Sequence, residues 1–151
     1  MATVRRTIHR PPDAVFAALT TPETYPHWLV GCREIRSVDA DWPEPGQSFH
    51  HRVGLVGPIT VADTTEVVEI ESPRRLSLEV RARPVGRGRA TFTLEPAPAT
   101  GGPPATLLAL EEAPIGLLAP TKPLADLLTA HRNQRSLANL ADYLERDPAV
   151  T

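Results

Sequence analysis

Three polar residues lie on strand faces that the alternating pattern predicts to be buried. Asp63 and Thr65 lie on the apolar face of a strand predicted at residues 58–70, and His51 lies between Phe49 and Val53 on one face of the preceding strand. A buried carboxylate costs several kcal/mol unless it is hydrogen-bonded or hydrated. A histidine and an aspartate beside an apolar space suit proton transfer to a ligand carbonyl, as in cyclisation or dehydration.

Each of these residues also has a purely structural interpretation. Asp63 fits a β-bulge or the rim of a sheet, where backbone N–H groups would satisfy its carboxylate. His51 fits an exposed strand face, because His50 beside it must point to the opposite side. The same groups would also serve simply to orient a bound ligand. The pattern leaves catalysis and binding open, with His51 and Asp63 as the catalytic candidates.

Motifs for other kinds of chemistry are missing from the sequence. The five histidines lack the spacing of metal ligands, and neither CxxC nor HExxH occurs. There is no GxSxG motif, and Cys32 has no motif around it, so we predict a buried, inert thiol. No glycine-rich loop precedes a helix. We therefore expect neither a metal nor a cofactor.

Composition and charge predict one soluble domain. The chain has 151 residues, enough for a single core, and its net charge of −2 arises from interspersed residues of both signs. This charge pattern argues against a nucleic-acid partner. No apolar run is long enough to span a membrane. The single cysteine fits a reducing compartment, so we expect a cytoplasmic protein, either a monomer or a homodimer.

The periodicity predicts one strand, two short helices, six strands and a long C-terminal helix. The strands are predicted near residues 3–9, 32–39, 47–54, 58–70, 75–83, 88–95 and 105–112. The alternation is cleanest where Leu76, Leu78 and Val80 face one way and charged residues the other, as in an antiparallel sheet with one buried face. Glu111 and Glu112 are adjacent on the last strand, so one of them must point inward.

The C-terminal helix, predicted over residues 121–145, has an apolar stripe that thins at its centre. Near its C-terminal end the stripe consists of Leu137, Leu140, Ala141 and Leu144. Small or polar residues replace bulky ones in the middle, at Ala130, His131, Asn133 and Gln134. The stripe is restored one turn earlier by Leu124, Leu127 and Leu128. A helix that packs at both ends and is polar at its centre suggests something other than core beneath that centre.

The whole arrangement resembles the helix-grip fold of the START-like superfamily, the SRPBCC group of polyketide cyclases and dehydratases, lipid carriers and pollen-allergen-type proteins. The likeness covers about residues 2–145. It rests on the segments IHRPPDAVFAALTTPETYPHW, GPITVADTTEVVEIESPRRLSLE, ATFTLEP, ATLLALEE and RNQRSLANL. It implies an α+β fold, in which a seven-stranded curved antiparallel sheet wraps around the long C-terminal helix. A single domain is then expected at 1–146, with a short tail at 147–151.

In such folds two short helices fill the open end of the sheet, which explains an interrupted helix in this sequence. Pro22 suits the first turn of a helix, and Pro26 ends that helix before two turns are complete. The prolines allow the chain to turn this corner. Tyr25 and Trp28 are then expected to plug the end of the enclosed space, and Trp28 either belongs to the core or contacts a ligand.

The resemblance implies a cavity between the sheet and the C-terminal helix. Its expected ligand-binding residues are Trp28, His51, Asp63, Thr65, Leu78, Val80, Phe92, Leu108, Ala130, Asn133, Gln134 and Leu137. The first hypothesis is a protein that binds a small hydrophobic or aromatic molecule, lipid- or polyketide-like, in this cavity. The second is an enzyme of the polyketide cyclase/dehydratase kind, with His51 or Asp63 as general base. The third is an interaction protein with a filled or very small cavity.

Overall fold

The computed structural model describes residues 2–56, 59–82, 86–98, 102–115 and 123–146. The helices and strands occur in the predicted order. They are β1 (Ala2–Ile8), α1 (Pro12–Leu19), a 3₁₀ helix (Pro22–His27), β2 (Cys32–Val38), β3 (Ser48–Val56), β4 (Ile59–Glu71), β5 (Arg75–Ala82), β6 (Gly86–Pro96), β7 (Thr106–Ile115) and α2 (Pro123–Arg146). The expected tail at 147–151 lies outside the described residues.

The described strands form one antiparallel sheet of seven strands in the order β1-β7-β6-β5-β4-β3-β2. Each strand after β2 pairs with its predecessor, and β1 pairs with β7. The β2 strand is irregular, since its register against β3 shifts twice, between Cys32 and Glu34 and between Ile35 and Ser37. This sheet with its long C-terminal helix is the predicted helix-grip fold.

The core lies between the inner face of the sheet and the helices. On β5, Leu76 and Leu78 are buried as their alternation predicts. The short helix α1 contributes its predicted face, with Val15, Phe16 and Leu19 all buried. Burying each of these side chains stabilises the fold by roughly 1.5–3 kcal/mol, so together they hold α1 against the sheet.

The two ends of α2 differ in burial. The C-terminal stripe is buried as predicted, at Leu137, Leu140, Ala141 and Leu144. The prediction that Leu124, Leu127 and Leu128 restore this stripe is wrong for Leu127 and Leu128, which are 66% and 62% exposed. The side chain of Leu124 lies outside the described residues. Helical periodicity shows which residues share a face, but it does not show whether another element covers that face.

Proline shapes the corner between α1 and β2. Pro22 occupies the start of the 3₁₀ helix and Pro26 lies inside it, so the segment forms a short tight helix and then ends. Trp28 follows immediately and is buried, 4.6 Å from Tyr25 between ring centroids. Tyr25 also meets Phe49 of β3 edge-on, at 5.0 Å. This aromatic cluster fills one end of the space that the sheet encloses.

Candidate functional site

A cavity of about 130 Å³ lies on the inner face of the sheet, beside Arg132 and Asn133 of α2. Most of its wall is apolar, and six strands, the 3₁₀ helix, the segment after that helix and α2 contribute to it. The lining consists of Tyr25, Trp28, Leu29, Val30, Cys32, His51, Val53, Asp63, Thr65, Leu78, Val80, Ala90, Phe92, Leu110, Glu112, Arg132 and Asn133.

One polar group in the cavity comes from β3 and β4. His51 pairs with Asp63 across the two strands, and Thr65 lies two residues farther along β4 on the same inward face. All three side chains are at most 3% exposed. Asp63 lies in a regular stretch of the β3–β4 ladder, so the β-bulge interpretation of this residue is wrong, and it lines the cavity. The exposed-face interpretation of His51 is wrong, because this side chain is only 2% exposed and lines the cavity.

The two ring nitrogens of His51 differ in their surroundings. Its Nε2 atom lies 3.0 Å from the hydroxyl oxygen of Thr65. Its Nδ1 atom is buried and has no hydrogen-bond partner among the described residues. Buried polar atoms in native proteins are nearly always paired, so one without a partner calls for an explanation such as a bound molecule.

The charge state of His51 follows from its burial. Desolvation, and after it the positive charges of Arg36 and His50, lower the pKa of His51 to about 4. The ring is therefore neutral near pH 7. A neutral imidazole has one nitrogen that donates a hydrogen bond and one that accepts, so Nδ1 can play either part, according to the tautomer.

A second polar group joins β7 to α2. Glu112 points inward and lines the cavity, whereas Glu111 is exposed, which settles the prediction that one of this pair faces inward. The carboxylate of Glu112 accepts a hydrogen bond from the guanidinium of Arg132 and a longer one, at 3.4 Å, from the Asn133 amide. Because β5 and β6 separate β4 from β7 in the sheet, this group lies across the cavity from His51.

The segment Trp28–Val30 forms the wall beside α2, and α2 holds it by two hydrogen bonds. The backbone N–H of Val30 donates to the hydroxyl oxygen of Ser136 at 3.0 Å. The side-chain amide of Asn139 donates to the backbone carbonyl oxygen of Trp28 at 3.2 Å. The indole N–H of Trp28 donates to Thr24 at 3.1 Å. The interrupted helix therefore supplies a fixed part of the cavity wall.

Cys32 also lies in this wall. Burial raises the pKa of its thiol to about 11, so the thiol is protonated near pH 7, in keeping with the predicted inert cysteine. Among the residues that the structure describes, no three His, Cys, Asp or Glu side chains are grouped so that they could hold a metal ion. None of the described helices is long and apolar enough to cross a membrane.

Eight of the twelve residues predicted from the sequence line the cavity. They are Trp28, His51, Asp63, Thr65, Leu78, Val80, Phe92 and Asn133. The other four lie outside the lining: Leu108 and Leu137 are buried in the core, Ala130 is half-buried against it, and Gln134 is exposed. Cavity residues that the prediction did not include are Tyr25, Leu29, Val30, Cys32, Val53, Ala90, Leu110, Glu112 and Arg132.

The sequence indicates some of these additional residues as candidates for the cavity and others not at all. Val53, Ala90 and Leu110 lie on inward strand faces that the alternation already marks. Tyr25 was expected in the plug beside Trp28, but not in the cavity wall. Arg132 had no signal at all, because a charged residue on a helix is normally solvated.

Comparison with known proteins agrees with this fold. The sequence matches the family model described as polyketide cyclase/dehydrase and lipid transport over residues 1–145. The chain belongs to this family. The predicted START-like resemblance is therefore confirmed. Family and fold together are consistent with ligand binding in a helix-grip cavity. A search of curated proteins found no match.

Solved structures include several similar proteins. A START superfamily protein from Mycobacterium smegmatis is 14% identical with a TM-score of 0.73, and the match covers 96% of this chain and 97% of that one. A protein from Nitrosomonas europaea is 19% identical with a TM-score of 0.72, covering 97% and 95%. A protein from Mesorhizobium loti is 25% identical with a TM-score of 0.69, covering 96% of both chains. These likenesses support the fold.

Proposed function

We propose that this protein binds a small hydrophobic or aromatic molecule in the cavity between the sheet and α2. The observation that carries the proposal is His51, a buried side chain in an otherwise apolar wall, whose Nδ1 atom has no partner among the described residues. Binding sites typically combine apolar walls with a few placed polar groups that fix the orientation of the ligand. A cavity of about 130 Å³ also argues against the filled core of an interaction protein.

Binding can be tested through the two tryptophans. Trp28 lines the cavity, whereas Trp42 donates its indole N–H to the Thr20 carbonyl oxygen away from the lining, so it serves as an internal control. Toluene, phenol, 2-naphthol and 1-octanol are titrated while the two indole N–H resonances are followed by NMR. We expect at least one probe to shift the Trp28 resonance saturably and to leave that of Trp42 in place. If no probe does so, the proposal is wrong.

An enzyme of the cyclase/dehydratase kind is the second candidate, favoured by the pairing of His51 with Asp63 across β3 and β4. A general base works best when its pKa lies near the operating pH, and a pKa of about 4 makes His51 a weak base. This favours a ligand-orienting role for the ring. The enzyme hypothesis requires a pH–rate profile with a catalytic pKa that disappears in His51→Ala or Asp63→Asn.

The cytoplasmic location and the state as monomer or homodimer are predictions from the sequence. The same applies to the single-domain boundary at residue 146.

A further inference from the structure

We infer that the ligand is a neutral molecule about the size of one six-membered ring, with a hydroxyl group that meets Nδ1 of His51. This inference rests on the proposed function and narrows it to single-ring phenols and alcohols, as opposed to long lipids or fused polycyclic molecules.

The size follows from the cavity volume. Sites for drug-sized ligands have roughly 300–1,000 Å³. An apolar cavity of about 150 Å³ is known to accept benzene. At about 130 Å³ this cavity suits a single ring. The aromatic part of the wall is itself closely packed, since Trp28 lies 4.6 Å from Tyr25 and meets Phe92 edge-on at 6.3 Å between ring centroids. A larger ligand that extends in this direction would have to displace these side chains.

The hydroxyl group follows from the two tautomers of His51. If Nε2 carries the proton and donates to Thr65, then Nδ1 can only accept a hydrogen bond; in the other tautomer, Nδ1 donates. A hydroxyl group both donates and accepts, so it satisfies Nδ1 in either tautomer. A carboxylate only accepts and an ammonium only donates, so each fits one tautomer alone.

Neutrality follows from the charges in the wall. Among the described lining residues the one permanent cation is Arg132, and its guanidinium is already paired with Glu112. A ligand anion beside His51 would lose its hydration and would meet no unpaired cation among the described lining residues, which is costly. Phenol avoids the cost, since phenolic hydroxyls titrate near pH 10.

The test compares four probes at pH 7 in the wild-type protein, with the Trp28 indole resonance as readout. Phenol and toluene have nearly the same size but differ in the hydroxyl group, benzoate adds a charge, and 2-naphthol adds a ring. We expect phenol to bind about tenfold more tightly than toluene, because only phenol can form a hydrogen bond with the buried Nδ1 atom of His51. Benzoate and 2-naphthol should each bind at least tenfold more weakly than phenol.

His51→Phe, with His50→Phe as its matched control, assigns the hydroxyl preference to one side chain. His50 is the adjacent residue, and its Nδ1 atom lies 3.0 Å from Thr64 on the outer face of the sheet. The preference for phenol over toluene should disappear in His51→Phe and persist in His50→Phe. The wild-type series decides the inference even if His51→Phe does not fold.

The outcomes separate this inference from the proposed function. Equal binding of phenol and toluene overturns the hydroxyl group. Binding of benzoate as tight as that of phenol, or tighter, overturns neutrality, and binding of 2-naphthol as tight as that of phenol, or tighter, overturns the size. In each of these three results the proposed function still stands. If none of these probes shifts the Trp28 resonance, the proposed function itself fails.

Discussion

The Nε2 atom of His51 lies 3.0 Å from the hydroxyl oxygen of Thr65, and both side chains are almost completely buried. Thr65 fixes the ring in one orientation, and Nδ1 is left without a partner among the described residues. The site thus has a rigid polar atom in an apolar wall. Because the pKa of the same ring is lowered in the folded protein, the stability of the fold depends on pH.

Stability should fall as the pH drops from about 6.5 to about 4. The pKa of His51 is lowered to about 4 in the folded protein, so in this window the unfolded chain binds the proton that the folded chain excludes. The contribution of the neutral His51 ring to the free energy of unfolding is fully present above pH 6.5, and about 3 kcal/mol of it is lost by pH 4. Urea unfolding at pH 7, 5.5 and 4.5 measures it.

Other groups titrate in the same range, so the comparison needs a variant. His51→Gln should show a flatter pH profile than wild type. His50→Gln, on the outer face, should flatten the profile much less, because His50 is the smallest of the three causes that lower the pKa of His51. Identical slopes in wild type and His51→Gln would show that His51 does not resist protonation in the folded state.

Thr24→Val should destabilise the plug. Thr24 accepts the indole N–H of Trp28 at 3.1 Å and donates to the carbonyl oxygen of Ala18 at 2.8 Å. Valine keeps the shape but leaves a buried indole N–H unpaired, which costs roughly 1–3 kcal/mol. Thr21→Val is the matched control, because Thr21 is exposed and donates to the Ala17 carbonyl oxygen, where water can take over. If Thr24→Val and Thr21→Val have the same denaturant midpoint, the hydrogen bond between Trp28 and Thr24 does not stabilise the plug.

Ser136→Ala should loosen the wall segment Trp28–Val30. Ser136 is fully buried, and its loss leaves the backbone N–H of Val30 without its acceptor, at a cost of roughly 1–3 kcal/mol. Asn139→Ala removes the other hydrogen bond to the same segment, but Asn139 is exposed and water can replace it, so we expect less than about 1 kcal/mol. Hydrogen exchange of the Val30 amide is the direct measurement. Unchanged protection in Ser136→Ala would rule out this role of the hydroxyl group.

The fold could be predicted from the sequence because local pattern and tertiary structure agree over most of the chain. Leu76 and Leu78 alternate with polar residues and are buried, and Pro22 and Pro26 interrupt the helix where the chain turns. The prediction for Leu127 is wrong, because an apolar stripe on a helix has the same sequence whether or not a neighbouring element covers it.

The site could be predicted only in part. Alternation identifies the inward face of a strand, but it does not say at which level along that face core gives way to cavity. Leu108 and Leu78 both face inward, yet only Leu78 reaches the cavity. Arg132 lines it because its long side chain extends to Glu112 on β7, a contact that depends on how α2 crosses the sheet. No local pattern encodes that crossing.

The most direct test of ligand binding in the cavity is to fill the cavity with a side chain. Ala90 is buried on the inner face of β6 and lines the cavity, whereas Ala141 is buried in the core outside it. The measurement is the titration of phenol and toluene, read at the Trp28 indole resonance, together with urea unfolding, in Ala90→Leu and Ala141→Leu. In Ala90→Leu the new side chain enters empty space, so we expect stability within about 1 kcal/mol of wild type and loss of probe binding. Ala141→Leu should overpack the core and lose roughly 1–3 kcal/mol. Wild-type probe binding in Ala90→Leu, or a loss of stability as large as that of Ala141→Leu, would contradict ligand binding in this cavity.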